Sequence, residues 1–265
     1  MNILHRNIQS SHRTHAAITA VLLFVASFFM LSCDNEDDSF PVYPINRPNA
    51  LVTVKPDNSG MRFMMQLDDS TTINAVNIQK APYDKEVRAF VSFRMLTPPD
   101  KRRHYDVYVN WMDSILTKPM SAYVEAGQPA AYGEDPVEIL REWTVVEDGY
   151  LTIHFRTQWA ANNTPHIVRL APTDNTNPYD NTNPYDLTFY HDAQGVKGGY
   201  WGDGIVAFRL NDLPDTNGKT VEMTLRWTSF GGKKSTTFKY TTRKGSTQIE
   251  GLCYAASGQF EKAIR

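Results

Sequence analysis

Alternation with a period of two limits the fold of this chain more than any other feature. Val87, Ala89, Val91, Phe93 and Met95 are separated by Arg88, Ser92 and Arg94, and Tyr105, Val107, Val109 and Trp111 by His104, Asp106 and Asn110. The pattern returns in Leu151, Ile153, Phe155 and Trp159 against Thr152, His154, Arg156 and Gln158. It appears again in Val221, Met223, Leu225 and Trp227 against Glu222, Thr224, Arg226 and Thr228. Successive side chains of a strand point to opposite faces, so each run offers a sheet one apolar and one polar side. Shorter strands are expected at Leu51–Lys55, Arg62–Leu67, Thr71–Asn74, His166–Leu170, Leu187–His191, Ile205–Leu210 and Thr236–Thr241. Turn chemistry at Asp57-Asn58-Ser59-Gly60, Glu147-Asp148-Gly149, Asn217-Gly218 and Gly231-Gly232 separates them. No long amphipathic helix interrupts the series. The chain reads as all-β.

The series breaks between Lys118 and Asp135, where Pro119, Gly127, Pro129, Gly133 and the following Pro136 disrupt regular structure. Five or six strands precede the break and six or seven follow it, counts that suit a small β-barrel and then a β-sandwich. The expected division is a barrel domain over 49–120, an immunoglobulin-like sandwich over 130–243 and a tail over 244–265. Within the second part, DNTNPYDNTNPYD (Asp174 to Asp186) writes a six-residue unit twice. Asn-Pro pairs favour turns, so it reads as a duplicated surface loop carrying Tyr179 and Tyr185.

The amino terminus addresses location. Arg6 and Arg13 stand in a leader free of acids, and Ala16 to Ser32 runs without a charge. That is the build of a secretory signal over 1–32, somewhat short for a membrane-spanning helix. Met30-Leu31-Ser32-Cys33 resembles a bacterial lipobox, which implies cleavage before Cys33 and a lipid on its thiol. Two or more acyl chains hold a protein stably on a bilayer, where one does not. Asp34, Glu36, Asp37 and Asp38 then open an acidic, proline-rich tether over 33–48; such acidic runs resemble a surface-export signal of Bacteroides-type lipoproteins. The expected place is the outer membrane, on its outer or periplasmic face.

Loss of the leader takes the net charge from −2 to about −4. That weakly acidic balance argues against nucleic acid as a partner, which needs a clustered basic face, and none is expected. Cys253 is the only other cysteine, leaving no intramolecular disulfide if Cys33 is lipidated.

Several blocks together resemble the NigD-like lipoproteins of Bacteroides-type bacteria: GMRFMMQLDDSTTI, VRAFVSFRML followed by YDVYVNWMDSILTKPM, GEDPVEILREWTVVEDGYLTIHFR, and DGIVAFRLNDLP with GKTVEMTLRW. Ser70 replaces the glycine commoner in the first. The resemblance spans roughly Leu51 to Tyr240 and implies an OB-like barrel followed by a β-sandwich. It brings no catalytic residues, and its namesake was proposed to be a bacteriocin-immunity protein.

Chemistry is thinly signalled. His104, His154, His166 and His191 have no second histidine or cysteine at metal-ligand spacing. No Gly-x-Ser-x-Gly elbow and no phosphate-cradling glycine loop occurs. Paired carboxylates acting on a glycosidic bond depend on spatial separation, which leaves them open at this level. His154 belongs to a solvated strand face. GVKGGYWGDG sets Tyr200 and Trp201 among five glycines, as a loop pair that either packs over a sheet edge or stacks on a sugar. The expectation is a lipid-anchored, non-catalytic protein with no cofactor or metal. Its partner is a protein, in an interaction or immunity role, with a surface glycan-binding module as the alternative.

Overall fold

The computed structural model describes residues 46–57, 59–96, 103–123, 128, 131–162, 164–173 and 183–243. Cys33, the leader, most of the tether, Tyr179, Cys253 and the tail lie outside them. Thirteen strands are present among the described residues, and no α-helix.

The first five build a closed barrel in the order β1-β2-β3-β5-β4. They are β1 (Ala50–Pro56), β2 (Phe63–Gln66), β3 (Thr72–Ala75), β4 (Val87–Met95) and β5 (His104–Ser114). All neighbours are antiparallel except β3 and β5, whose parallel pairing closes the barrel. Val52, Val54, Met65, Ile73, Ala89, Val91 and Val107 fill it and are inaccessible to solvent. These are the inward-phase residues of the alternating runs, with interior volume set by small and branched side chains.

Eight strands form the sandwich. One sheet has the order β6-β11-β8-β7, the other β13-β12-β10-β9. The first comprises β6 (Thr117–Pro119), β7 (Glu138–Glu147), β8 (Tyr150–Trp159) and β11 (Tyr200–Arg209). The second comprises β9 (Ile167–Pro172), β10 (Asp186–Asp192), β12 (Val221–Ser229) and β13 (Gly232–Tyr240). Leu151, Ile153, Phe155, Val206 and Phe208 of one sheet meet Leu170, Leu187, Phe189, Met223 and Leu225 of the other. The β7–β8 hairpin turns on Asp148 and Gly149, both at positive φ, the geometry for which Asp-Gly is suited. Thr117–Pro119, assigned above to the barrel domain, pairs instead with β11 of the sandwich. The last residues of the duplicated unit also take part, since Asp186 opens β10 and its carboxylate grips Arg226 at 2.7 Å.

Barrel and sandwich belong to one compact unit. Leu51, Phe90 and Ile115 of the barrel side pack with Tyr150, Ile205 and Ala207 of the sandwich. Polar groups frame this seam. Arg243 donates to both oxygens of Glu86 at 2.8 and 2.9 Å, the Tyr150 hydroxyl donates to Glu86 at 2.6 Å, and Lys55 reaches Asp148 at 2.8 Å. Arg88 is fully buried there, donating to Thr53 Oγ1 at 3.0 Å with Glu147 at 3.6 Å. Burial drives its guanidinium below the usual range, while Glu147 and Asp148 work the other way. Arg88 is therefore not the solvent-facing partner of Val87 and Ala89 that alternation suggests, because the sandwich covers the outside of the barrel wall at this point.

Candidate functional site

Tyr200 and Trp201 do not sit in a loop. They open β11, paired with Trp159 and Gln158 of β8, and both are more than half exposed, at 56% and 54%. The backbone on either side of them runs close against Trp159. A Cβ on Gly199 would lie 2.2 Å from the Trp159 carbonyl oxygen, and one on Gly202 would lie 2.7 Å from its ring. Both positions therefore need glycine for close approach. Phe230, in the β12–β13 turn and exposed, meets Trp201 edge-on at 4.9 Å.

A polar row lies beside Trp201 on the outer face of the sheet, while Tyr200 takes the opposite phase of β11. Glu138, Arg156 and Asp203 stand opposite one another across β7, β8 and β11. Arg156 donates from Nε and Nη2 to the two oxygens of Asp203 at 2.5 and 3.0 Å, and His154 Nε2 lies 3.3 Å from Oδ2. The hydrogen bond and charge of Arg156 hold the Asp203 carboxyl below its usual range. His154 faces outward as expected, but it is tied down by Asp203 and the Glu142 carbonyl.

Two histidines 25 positions apart meet beneath the site. His166 Nδ1 and His191 Nε2 are 2.8 Å apart, and His191 Nδ1 lies 3.1 Å from the Asp135 carbonyl. That carbonyl can only accept, so the proton on His191 sits at Nδ1 and His166 Nδ1 donates to His191. His166 also stacks on Trp159 at 4.2 Å, and its Nε2 is buried with no hydrogen-bond partner. Among the described residues no group of three or more His, Cys, Asp and Glu could hold a metal ion.

A second exposed cluster lies on the barrel. Arg94 of β4 stands opposite Tyr108 of β5, with its guanidinium 4.7 Å from the ring centroid. Val76 follows the Ala75–Val107 pair and so stands next to Tyr108; Leu96 follows β4. Val76, Leu96 and Tyr108 are all exposed. The sequence signal was an aromatic ring in the polar phase of β5, between Asp106 and Asn110. Phe230 had a similar one, as an apolar residue next to a Gly-Gly turn.

The NigD-like N-terminal OB domain matches residues 51–115, and the NigD-like C-terminal β-sandwich domain matches residues 119–240. The chain belongs to the NigD-like family. Among solved structures, this NigD-like chain is similar to a protein of Parabacteroides distasonis provisionally named toxin-related. That likeness has 32% identity and a TM-score of 0.60, over 73% of this chain and 92% of the other. A Bacteroides vulgatus protein of unknown function shares 17% identity with a TM-score of 0.59, over 74% and 91%. A NigD-like immunity protein of Bacteroides caccae shares 15% with a TM-score of 0.52, over 76% and 99%. The latter two show the fold alone. No curated protein matches the NigD-like chain.

Proposed function

We propose that this NigD-like chain is a non-catalytic protein, lipid-anchored through Cys33 to the outer membrane and displayed at the cell surface, where it acts by contact with another protein in an immunity role. The barrel cluster of Tyr108, Arg94, Val76 and Leu96 carries this reading. Tyrosine and arginine are the residue types that dominate binding energy at protein interfaces, and apolar side chains gathered on a rigid wall are the usual mark of a docking face. The Bacteroides caccae relative is named an immunity protein, which agrees with the reading. The sequence Leu31-Ser32-Cys33 supports the anchor.

A deletion strain tests it. The strain should become sensitive to a bacteriocin of a neighbouring strain, wild type should restore resistance, and both Cys33→Ala and Tyr108→Asp should fail to restore it. Unchanged resistance in the deletion strain, or full rescue by Tyr108→Asp, refutes the assignment.

A further inference from the structure

The exposed end of β11 is built differently from the barrel cluster. Two rings in contact, Trp201 and Phe230, are exposed at one end of the sandwich, with Tyr200 exposed beside them in the opposite phase of the strand. The charges of the polar row and of the neighbouring turn are paired: Arg156 with Asp203, Lys234 with Glu138 at 2.9 Å, and Lys233 with Glu134 at 3.9 Å. A charged partner gains little from a surface whose own charges cancel. An uncharged ligand rich in hydroxyls gains more, because a paired guanidinium and carboxylate still offer spare N–H donors and lone pairs.

We propose that this face binds a neutral oligosaccharide. The Trp201 indole supplies an apolar platform for the C–H face of a pyranose ring, which is large, rigid and ordered at little entropic cost. Gln158, directly opposite Trp201 in the register, and the Arg156–Asp203 pair one row further along supply planar donors and acceptors to the ring hydroxyls. Rows on one face of a strand repeat about every 6.8 Å, so platform and polar row fall within the span of one or two sugar units. Gly199 and Gly202 let the backbone on either side of the platform lie close against the buried Trp159. The site is independent of the barrel contact.

Affinity electrophoresis of the full chain against soluble α-glucan, mixed-linkage β-glucan, xylan, galactomannan and α-mannan tests the proposal. At least one should retard the wild type. Trp201→Ala should weaken that binding about tenfold, and Asp203→Asn should weaken it as well. Tyr108→Asp, which removes the protein contact, should leave it unchanged. Trp201 is solvent-exposed, so its loss should leave the unfolding midpoint intact. Free migration of the wild type in all five polysaccharides, or equal retardation of Trp201→Ala, overturns the assignment. Neither result bears on the immunity assay.

Discussion

The indole of Trp143 meets the ring of Phe90 edge-on across the seam between sandwich and barrel, with centroids 5.1 Å apart. Trp143 reaches this position because β7 is irregular between Leu140 and Val145, and its own φ is +64°. A tryptophan in the left-handed region is strained, and the ring contact offsets that strain.

Trp143→Ala should therefore cost about 2 kcal/mol, since it removes a half-buried ring and keeps the strained backbone. Trp143→Gly should be the milder change by roughly 0.5–1 kcal/mol, because glycine takes positive φ freely. Urea denaturation of the three proteins gives the comparison. A more damaging glycine variant would show that the backbone there is unstrained.

Glu86 and Arg243 should behave as one unit. Burial pushes the Glu86 carboxyl up, but hydrogen bonds from Arg243 and Tyr150 outweigh it and hold the group below its usual range. Removing either partner takes the bidentate contact from a half-buried charge, leaving Arg243 with Asp148 at 3.5 Å or Glu86 with the Tyr150 hydroxyl. A double-mutant cycle on Glu86→Gln and Arg243→Ala should return a coupling of about 1–3 kcal/mol. Additive effects would mean that the pair does not hold the modules together.

Stability should depend on pH through His166. An ordinary histidine takes up its proton near pH 6.5, whereas burial, with His191 alongside, pushes His166 down to about 4. Asp135 and Asp192 favour the proton but do not reverse this. Below pH 6.5 the unfolded chain binds the proton first, so stability falls as pH drops from about 6.5 to about 4 and is insensitive to this group above that window. The full effect of one such group is about 3 kcal/mol. His166→Gln should remove that part of the slope in denaturation curves taken between pH 4 and 7. Identical slopes would place the sensitivity elsewhere.

Alternation made the barrel and sandwich interiors legible, because Val52, Ile73, Ile153, Phe155 and Leu225 each lie in the phase their neighbours dictate. It misplaced Arg88, since alternation reports which side of a strand a residue takes and not what later packs on that side. It also missed the His166–His191 pair, which is created when β9 and β10 align and has no signature in sequence spacing. Tyr200 and Trp201 were visible as residues of interest, but glycine enrichment suggested a loop. The glycines in fact serve the close approach of Trp159 to a strand. The barrel patch turns on Tyr108, one aromatic ring in a polar phase, and exists only because strand pairing brings Val76 and Arg94 beside it.

Thr117–Pro119 follows the last barrel strand directly and yet completes a sheet of the other module. A cut after Pro119 leaves the barrel with a dangling strand and the sandwich with a bare β11 edge, and a cut before Thr117 still exposes the apolar seam where Leu51, Phe90 and Ile115 pack with Tyr150, Ile205 and Ala207. The two modules should therefore be inherited, exchanged and lost together, as a single heritable piece.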